Sequence, residues 1–142
     1  MSLAFLFPGQ ASQFVGMGRD LYGASRVARD IFDLADGFFD AGLKSFCFNG
    51  PEESLKQTAV TQPAVFTHSV AALEMLREKG IHPGFVAGHS VGELAALVAA
   101  GVISLDDGLR IVGVRGRAMQ AAGKRRPGTM AAILGLDDVA VD

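Results

Sequence analysis

Residues 86–94, Val86-Ala87-Gly88-His89-Ser90-Val91-Gly92-Glu93-Leu94, decide how the rest of the chain is read. Phe85-Val86-Ala87 is a short apolar run suited to a buried strand, and helix signals run from Val91 to Ala100. Between them stands a Gly-x-Ser-x-Gly pattern. Placed after a strand and before a helix, it makes a sharp turn that exposes the serine oxygen and admits only small neighbours. A second reading is available. Ser90-x-x-Glu93 is a capping box, in which Ser90 accepts from the Glu93 amide and Glu93 reaches back. On this stretch alone, nucleophile and cap both stand. The free amides of a helix N-terminus favour negative charge beside Ser90 in either case. If Ser90 attacks a thioester carbonyl, the Val91 amide is the first oxyanion donor.

Outward from this turn, strands alternate with helices. Leu3 to Phe7 is an apolar run closed by Pro8-Gly9, read as a buried strand entering a loop over 10–18. Val27, Ile31, Leu34, Phe38 and Phe39 give 25–42 a helical spacing, and Pro51-Glu52-Glu53 is a further helix start. Thr61-Gln62-Pro63 opens a firmer helix, with Pro63 at its first position and Gly80 just past its end. Gly101 breaks the helix after Ser90, and Ser104-x-x-Asp107 caps the next. Residues 123–128 read as a basic loop and Thr129 to Leu134 as a strand. The fold class is α/β. Three or four strands are few for a self-sufficient parallel sheet, which suggests a piece of a larger fold.

Composition narrows the function. With 49% hydrophobic and 20% charged residues, the chain has the balance of a soluble globular protein. A formal net charge of -2 gives no reason to expect nucleic acid or an anionic membrane surface. The N-terminus lacks the basic segment of a signal peptide, and Leu94 to Leu105 is too short to span a bilayer, so the expected location is cytoplasmic. The single cysteine, Cys47, excludes an internal disulfide and leaves no Cys/His metal pattern; it is expected to be buried and inert. No phosphate loop or dinucleotide fingerprint is present, so no metal or organic cofactor is implied.

Three arginines share the helix after Ser104. Arg110 lies one turn after Asp106, so a surface ion pair accounts for it, and Arg117 can reach solvent. Arg115 has Ile111, Val112, Ala118 and Met119 as helical neighbours. A guanidinium on an apolar face needs an anionic partner. That partner is either an internal carboxylate or the carboxylate of a bound substrate. A helix over 91–100 climbs about 15 Å and a return over 105–115 descends about the same, which brings Arg115 level with Ser90. A serine and a forked carboxylate clamp on one rim suit an acyl donor that ends in a free carboxylate.

Four ordered motifs now stand together: Phe7-Pro8-Gly9-Gln10-Ala11-Ser12-Gln13, Thr61-Gln62-Pro63-Ala64, Gly88-His89-Ser90-Val91-Gly92-Glu93 and Val114-Arg115-Gly116. In this order they resemble the malonyl-CoA:acyl carrier protein transacylases, and acyltransferase domains of polyketide synthases share much of the pattern. The resemblance spans nearly the whole chain. It implies that Ser90 takes malonyl from coenzyme A as an ester, with Gln10 beside the Val91 amide at the oxyanion hole. It also implies that Arg115 binds the malonyl carboxylate, with Met119 one turn on, and that Gln62 and His89 line the site. The acyl group would pass to the phosphopantetheine thiol of acyl carrier protein in a ping-pong scheme. By the resemblance, residues 1–127 form the N-terminal part of an α/β-hydrolase-like acyltransferase core, and 128–142 begin a ferredoxin-like subdomain. Ala11 stands where the family often has Gly, which asks for an ordinary backbone angle or tolerable strain.

The family's activating histidine lies beyond the length of this chain. His68 is expected in core or groove packing, His82 in an exposed turn, and the His89 side chain diverges from Ser90. A serine esterase would use the same Gly-x-Ser-x-Gly, but no His-Gly-Gly-Gly segment accompanies it, and Arg115 suits a charged acyl group. Other readings are a trans-acting polyketide-synthase acyltransferase and an inactive fragment lacking the distal histidine. Lys124-Arg125-Arg126 is either a solvated basic turn or an attraction for an acidic carrier protein.

Overall fold

The computed structural model describes residues 3–39, 42–128, 133–135 and 137. Their order is β1 (Ala4–Phe7), α1 (Arg19–Ala24), α2 (Arg26–Phe38), α3 (Leu43–Asn49), α4 (Glu52–Leu55), α5 (Thr58–Glu78), β2 (Phe85–Gly88), α6 (Gly92–Ala99) and α7 (Leu105–Arg125). The expected strand over Thr129 to Leu134 and the division at residue 128 fall largely outside the described residues. Among the described residues no helix is long and apolar enough to cross a membrane. No group of three or more His, Cys, Asp or Glu side chains among them could hold a metal ion.

The architecture is α/β, with helices packed around a two-stranded parallel sheet in which Ala4 pairs with Phe85 and Phe7 with Gly88. The expectation of two buried strands is corrected. Phe7 reaches the core, whereas Leu6 is 78% and Phe85 69% exposed, because no further strand or helix among the described residues covers those faces.

The centre of the molecule is α5. Residues 61–67 are all buried, which marks a helix enclosed on every side rather than an amphipathic surface helix. It begins at Thr58, five residues before the Pro63 that sequence reasoning placed at its start. Pro63 instead lies inside the helix and withholds the amide that would bond the Ala59 carbonyl. The other end matches expectation: the Gly80 and Ile81 amides close on the Arg77 and Leu76 carbonyls, with Gly80 at φ +71°.

The Ser104 cap holds as expected, a second cap joins it, and other local expectations shift. Ser25 caps α2 through its bond from the Ala28 amide, and Ser104 accepts from the Asp107 amide at the start of α7. Helix α7 continues through Arg125, so Lys124 and Arg125 lie in its last turn, beside the negative end of the helix dipole, and not in a loop. Arg110 forms no ion pair with Asp106 or Asp107; its guanidinium lies 5.8 Å from the centre of the Phe38 ring. Cys47 is fully buried on α3, and loss of solvation pushes its thiol up to about 12.

Candidate active site

The strand–turn–helix of the opening stretch is present, and backbone contact explains its glycines. A β-carbon at Gly88 would lie 2.1 Å from the Gly92 carbonyl carbon, and one at Gly92 would lie 2.3 Å from the Phe7 carbonyl oxygen. Neither position has room for any side chain. Between them Ser90 adopts φ +54°, a left-handed conformation that costs a non-glycine residue roughly 1–2 kcal/mol. The turn is fixed by bonds from the His89 amide to the Phe7 carbonyl (3.0 Å) and from the Gly92 amide to the His89 carbonyl (2.9 Å).

The capping box does not form. Helix α6 has Val91 at its N-cap with no side-chain cap, and the Glu93 amide reaches the backbone carbonyl of Ser90 rather than its hydroxyl. The positive φ turns the side chain away from the helix end. Ser90 Oγ instead accepts from Arg115 Nη2 at 3.1 Å. Among the described residues no backbone carbonyl takes the amide of the fully buried Val91.

Arg115 therefore returns to the level of Ser90, as the paired-helix argument expects, but its setting differs from the one inferred. Ile111 and Met119 are 42% and 38% exposed; the buried stripe of α7 is Leu109, Val112, Gly113 and Gly116. Arg115 sits half-buried at the edge of that stripe. Among the described residues no internal carboxylate holds it. Its Nη1 donates to Gln62 Oε1 at 2.6 Å, and among the described residues it makes no salt bridge. Gln62, fully buried, uses its other end to donate from Nε2 to Met119 Sδ at 3.0 Å. A neutral amide thus orients the guanidinium without cancelling its charge.

A cleft of about 710 Å³ brings together Gln10, His89, Ser90 and Met119, with Thr58, Gly123 and Gly128 also on its walls. Gln10 Nε2 donates to Thr58 Oγ1 at 3.3 Å. The neighbouring Ala11 has φ +86°, so strain, rather than an ordinary angle, is what this position carries; its amide bonds Gln13 Oε1. The exposed His89 ring lies over Gly9, where a β-carbon would come 2.5 Å from Nδ1, and no hydrogen bond joins it to Ser90 among the described residues. His68 is half-buried in a separate groove against β1, where burial holds its imidazole below the usual value despite the nearby Asp20. Of the sequence-predicted residues, Ser90, Arg115, Gln62 and Met119 form one connected chain of contacts, and Gln10 and His89 share the cleft.

Two residues at this site went unnoticed in the sequence. Thr58 holds Gln10, and Gln120 Oε1 accepts from the Ala59 amide at 2.8 Å. Only a correct start for α5 could have raised Thr58, and a pairing across 61 residues leaves no local signal for Gln120.

Such an arrangement can accept an acyl group as an ester on Ser90 and hold an anionic far end of that group on Arg115. The chain belongs to the acyl transferase domain family, whose model matches residues 4–140. It is 50% identical over 135 residues to the malonyl CoA-acyl carrier protein transacylase of Bacillus subtilis strain 168, covering 95% of this chain and 43% of that protein. It superimposes on the acyl-carrier-protein S-malonyltransferase of Burkholderia pseudomallei with a TM-score of 0.84 at 37% identity, over 99% of this chain and 46% of that one. A malonyl-transacylase solved in complex with its type II polyketide-synthase acyl-carrier protein gives a TM-score of 0.81 at 43% identity, over 86% and 40%. The chain thus spans less than half the length of these relatives.

Proposed function

We propose that this chain carries the nucleophile and the acyl-group clamp of a malonyl-CoA:acyl carrier protein transacylase acting in fatty-acid synthesis. Ser90 Oγ attacks the thioester carbonyl of malonyl-CoA. The carbon–sulfur bond breaks, a malonyl ester forms on Ser90, and coenzyme A departs as its thiol, taking the proton that the serine gives up. The phosphopantetheine thiol of acyl carrier protein then attacks the ester, and the proton returns to Ser90. The Val91 amide and the Gln10 loop stabilise the oxyanion, Arg115 binds the malonyl carboxylate, Met119 and His89 line the acyl pocket, and Gln62 supports it from behind by orienting Arg115. The chemistry needs no metal or organic cofactor. The proton is relayed by a histidine from the portion of the family fold that lies beyond residues 1–142, with 128–142 opening a ferredoxin-like subdomain. The setting is the cytoplasm.

The observation that carries this reading is Arg115 Nη2 at 3.1 Å from Ser90 Oγ, with its charge uncancelled by any carboxylate among the described residues. An esterase acting on neutral acyl groups has no use for that cation. The test compares labelling of Ser90 by malonyl-CoA and acetyl-CoA in the wild type and Arg115→Ala, each supplied with the histidine-bearing remainder of the family fold. Malonyl labelling is expected to slow about 100-fold, the scale of a lost charge-assisted bidentate contact, with acetyl labelling changed only a few-fold. A malonyl preference that survives Arg115→Ala excludes the clamp.

A further inference from the structure

The first turn of α5 keeps its opening backbone bonds, from the Val60 and Thr61 amides to the Gln57 carbonyl, and is incomplete elsewhere. Its N-cap, Gln57, makes no side-chain cap, and Pro63 denies the Ala59 carbonyl its ordinary partner. Ala59 is therefore short of a bond at both its amide and its carbonyl within the helix. The amide is taken from outside, by Gln120 Oε1 at 2.8 Å across 61 residues. One turn earlier on α7, Gly116 lies flat against the same segment: a β-carbon there would sit 3.2 Å from both the Thr58 carbonyl oxygen and the Ala59 α-carbon. Gly116 and Gln120 together dock α7 onto this incompletely bonded turn.

That turn carries the site. Thr58 receives Gln10 through its hydroxyl, and Gln62, one turn on, orients Arg115. We infer that Gln120 is a positioning residue: by capping Ala59 it fixes the first turn of α5, and through it the relative placement of the Gln10 loop and the Arg115 clamp. The inference rests on the acyl-transfer reading for its functional consequence, and on the geometry alone for the cap. Gln120 itself contacts the Ala59 amide and does not touch Ser90 or Arg115 in any hydrogen bond among the described residues.

The experiment uses the whole chain in three forms, wild type, Gln120→Leu and Gln120→Glu, with two readouts. Amide hydrogen exchange at Ala59 and Val60 reports the cap, and titration with malonate followed by NMR reports the clamp. Gln120→Leu is expected to speed exchange at Ala59 at least ~10-fold and to weaken malonate binding to a similar degree. Gln120→Glu, which keeps an acceptor oxygen in place, should restore both. A general loss of stability would not be rescued by Glu and would speed exchange throughout α7 as well. Unchanged exchange at Ala59 in Gln120→Leu overturns the inference, and so does weakened malonate binding that Gln120→Glu fails to restore. Should Gln120→Leu not fold, Gln120→Glu against wild type decides: a loss of Ala59 protection there contradicts the cap. If wild-type protein binds no malonate, the acyl-transfer reading fails, while the exchange data still judge the cap.

Discussion

Two walls of structure stand behind the cleft, and they are built by different means. The wall that presents Ser90 is backbone against backbone: Gly88, Gly92 and the Phe7 carbonyl meet at distances that exclude a β-carbon, all within one strand–turn–helix and its paired strand. The other wall is held through side chains, with Arg115 on Gln62 across 53 residues and Gln120 on the Ala59 backbone amide across 61. The first wall is rigid and intolerant of substitution. The second is held by a few polar contacts, each of which can be exchanged for another chemistry. Strain belongs on the rigid side, where Ser90 is kept at φ +54° by tightly packed neighbours.

This contrast orders the expected effects. Gly92→Ala puts a methyl group within 2.3 Å of the Phe7 carbonyl oxygen and has no soft neighbour to displace, so a loss of at least ~3 kcal/mol in denaturant unfolding is expected. A loss under ~1 kcal/mol would mean that the turn is more pliable than its contacts indicate. On the other wall, Gln62→Glu is nearly isosteric and should fold. It keeps the contact with Arg115 but cancels its charge, so the preference for malonyl over acetyl thioester is expected to fall about tenfold or more in the labelling assay. A preference that survives the added carboxylate would remove the argument from uncancelled charge.

Smaller effects come from the periphery of the two walls. Ala11→Gly relieves a left-handed backbone at a cost in unfolded-chain entropy, and a net gain of about 0.5–1 kcal/mol in unfolding free energy is expected. His68 tests the groove against β1. Burial lowers its folded-state value below that of the unfolded chain, so the unfolded state binds the extra proton first. Its contribution to stability is therefore present above the unfolded value and is lost as the pH falls through the folded one. Thermal melts from pH 7 down to pH 5 should show a decline that His68→Gln flattens; equal slopes in both proteins would deny the burial.

The rigid wall was legible in the sequence and the soft wall only in outline. Gly88, Ser90 and Gly92 lie within five residues, and their spacing states the geometric demand of the turn directly. Arg115 was legible through an argument of helical rise, which its contact with Ser90 Oγ bears out, although the apolar face assigned to it is partly solvent-exposed. What replaced the expected carboxylate was not legible. A buried glutamine acting as a neutral acceptor has the same local signature as one that merely packs. The start of α5 was missed because proline favours a first helical turn, and here it stands a turn and a half inside, where α7 stabilises the segment before it. The capping box failed for a physical reason too: Ser90 cannot cap α6 through its hydroxyl while its backbone turns that hydroxyl toward Arg115.

The central claim is that Ser90, placed by the first wall, forms an ester with an acyl group whose carboxylate the second wall holds. Intact mass of the folded protein, supplied with the histidine-bearing remainder of the family fold and mixed with malonyl-CoA, is the sharpest test. A gain of one malonyl group is expected, mapped to Ser90 after digestion and absent from Ser90→Ala. No gain in folded protein supplied with the histidine-bearing remainder of the family fold, or a gain that persists in Ser90→Ala, would contradict it.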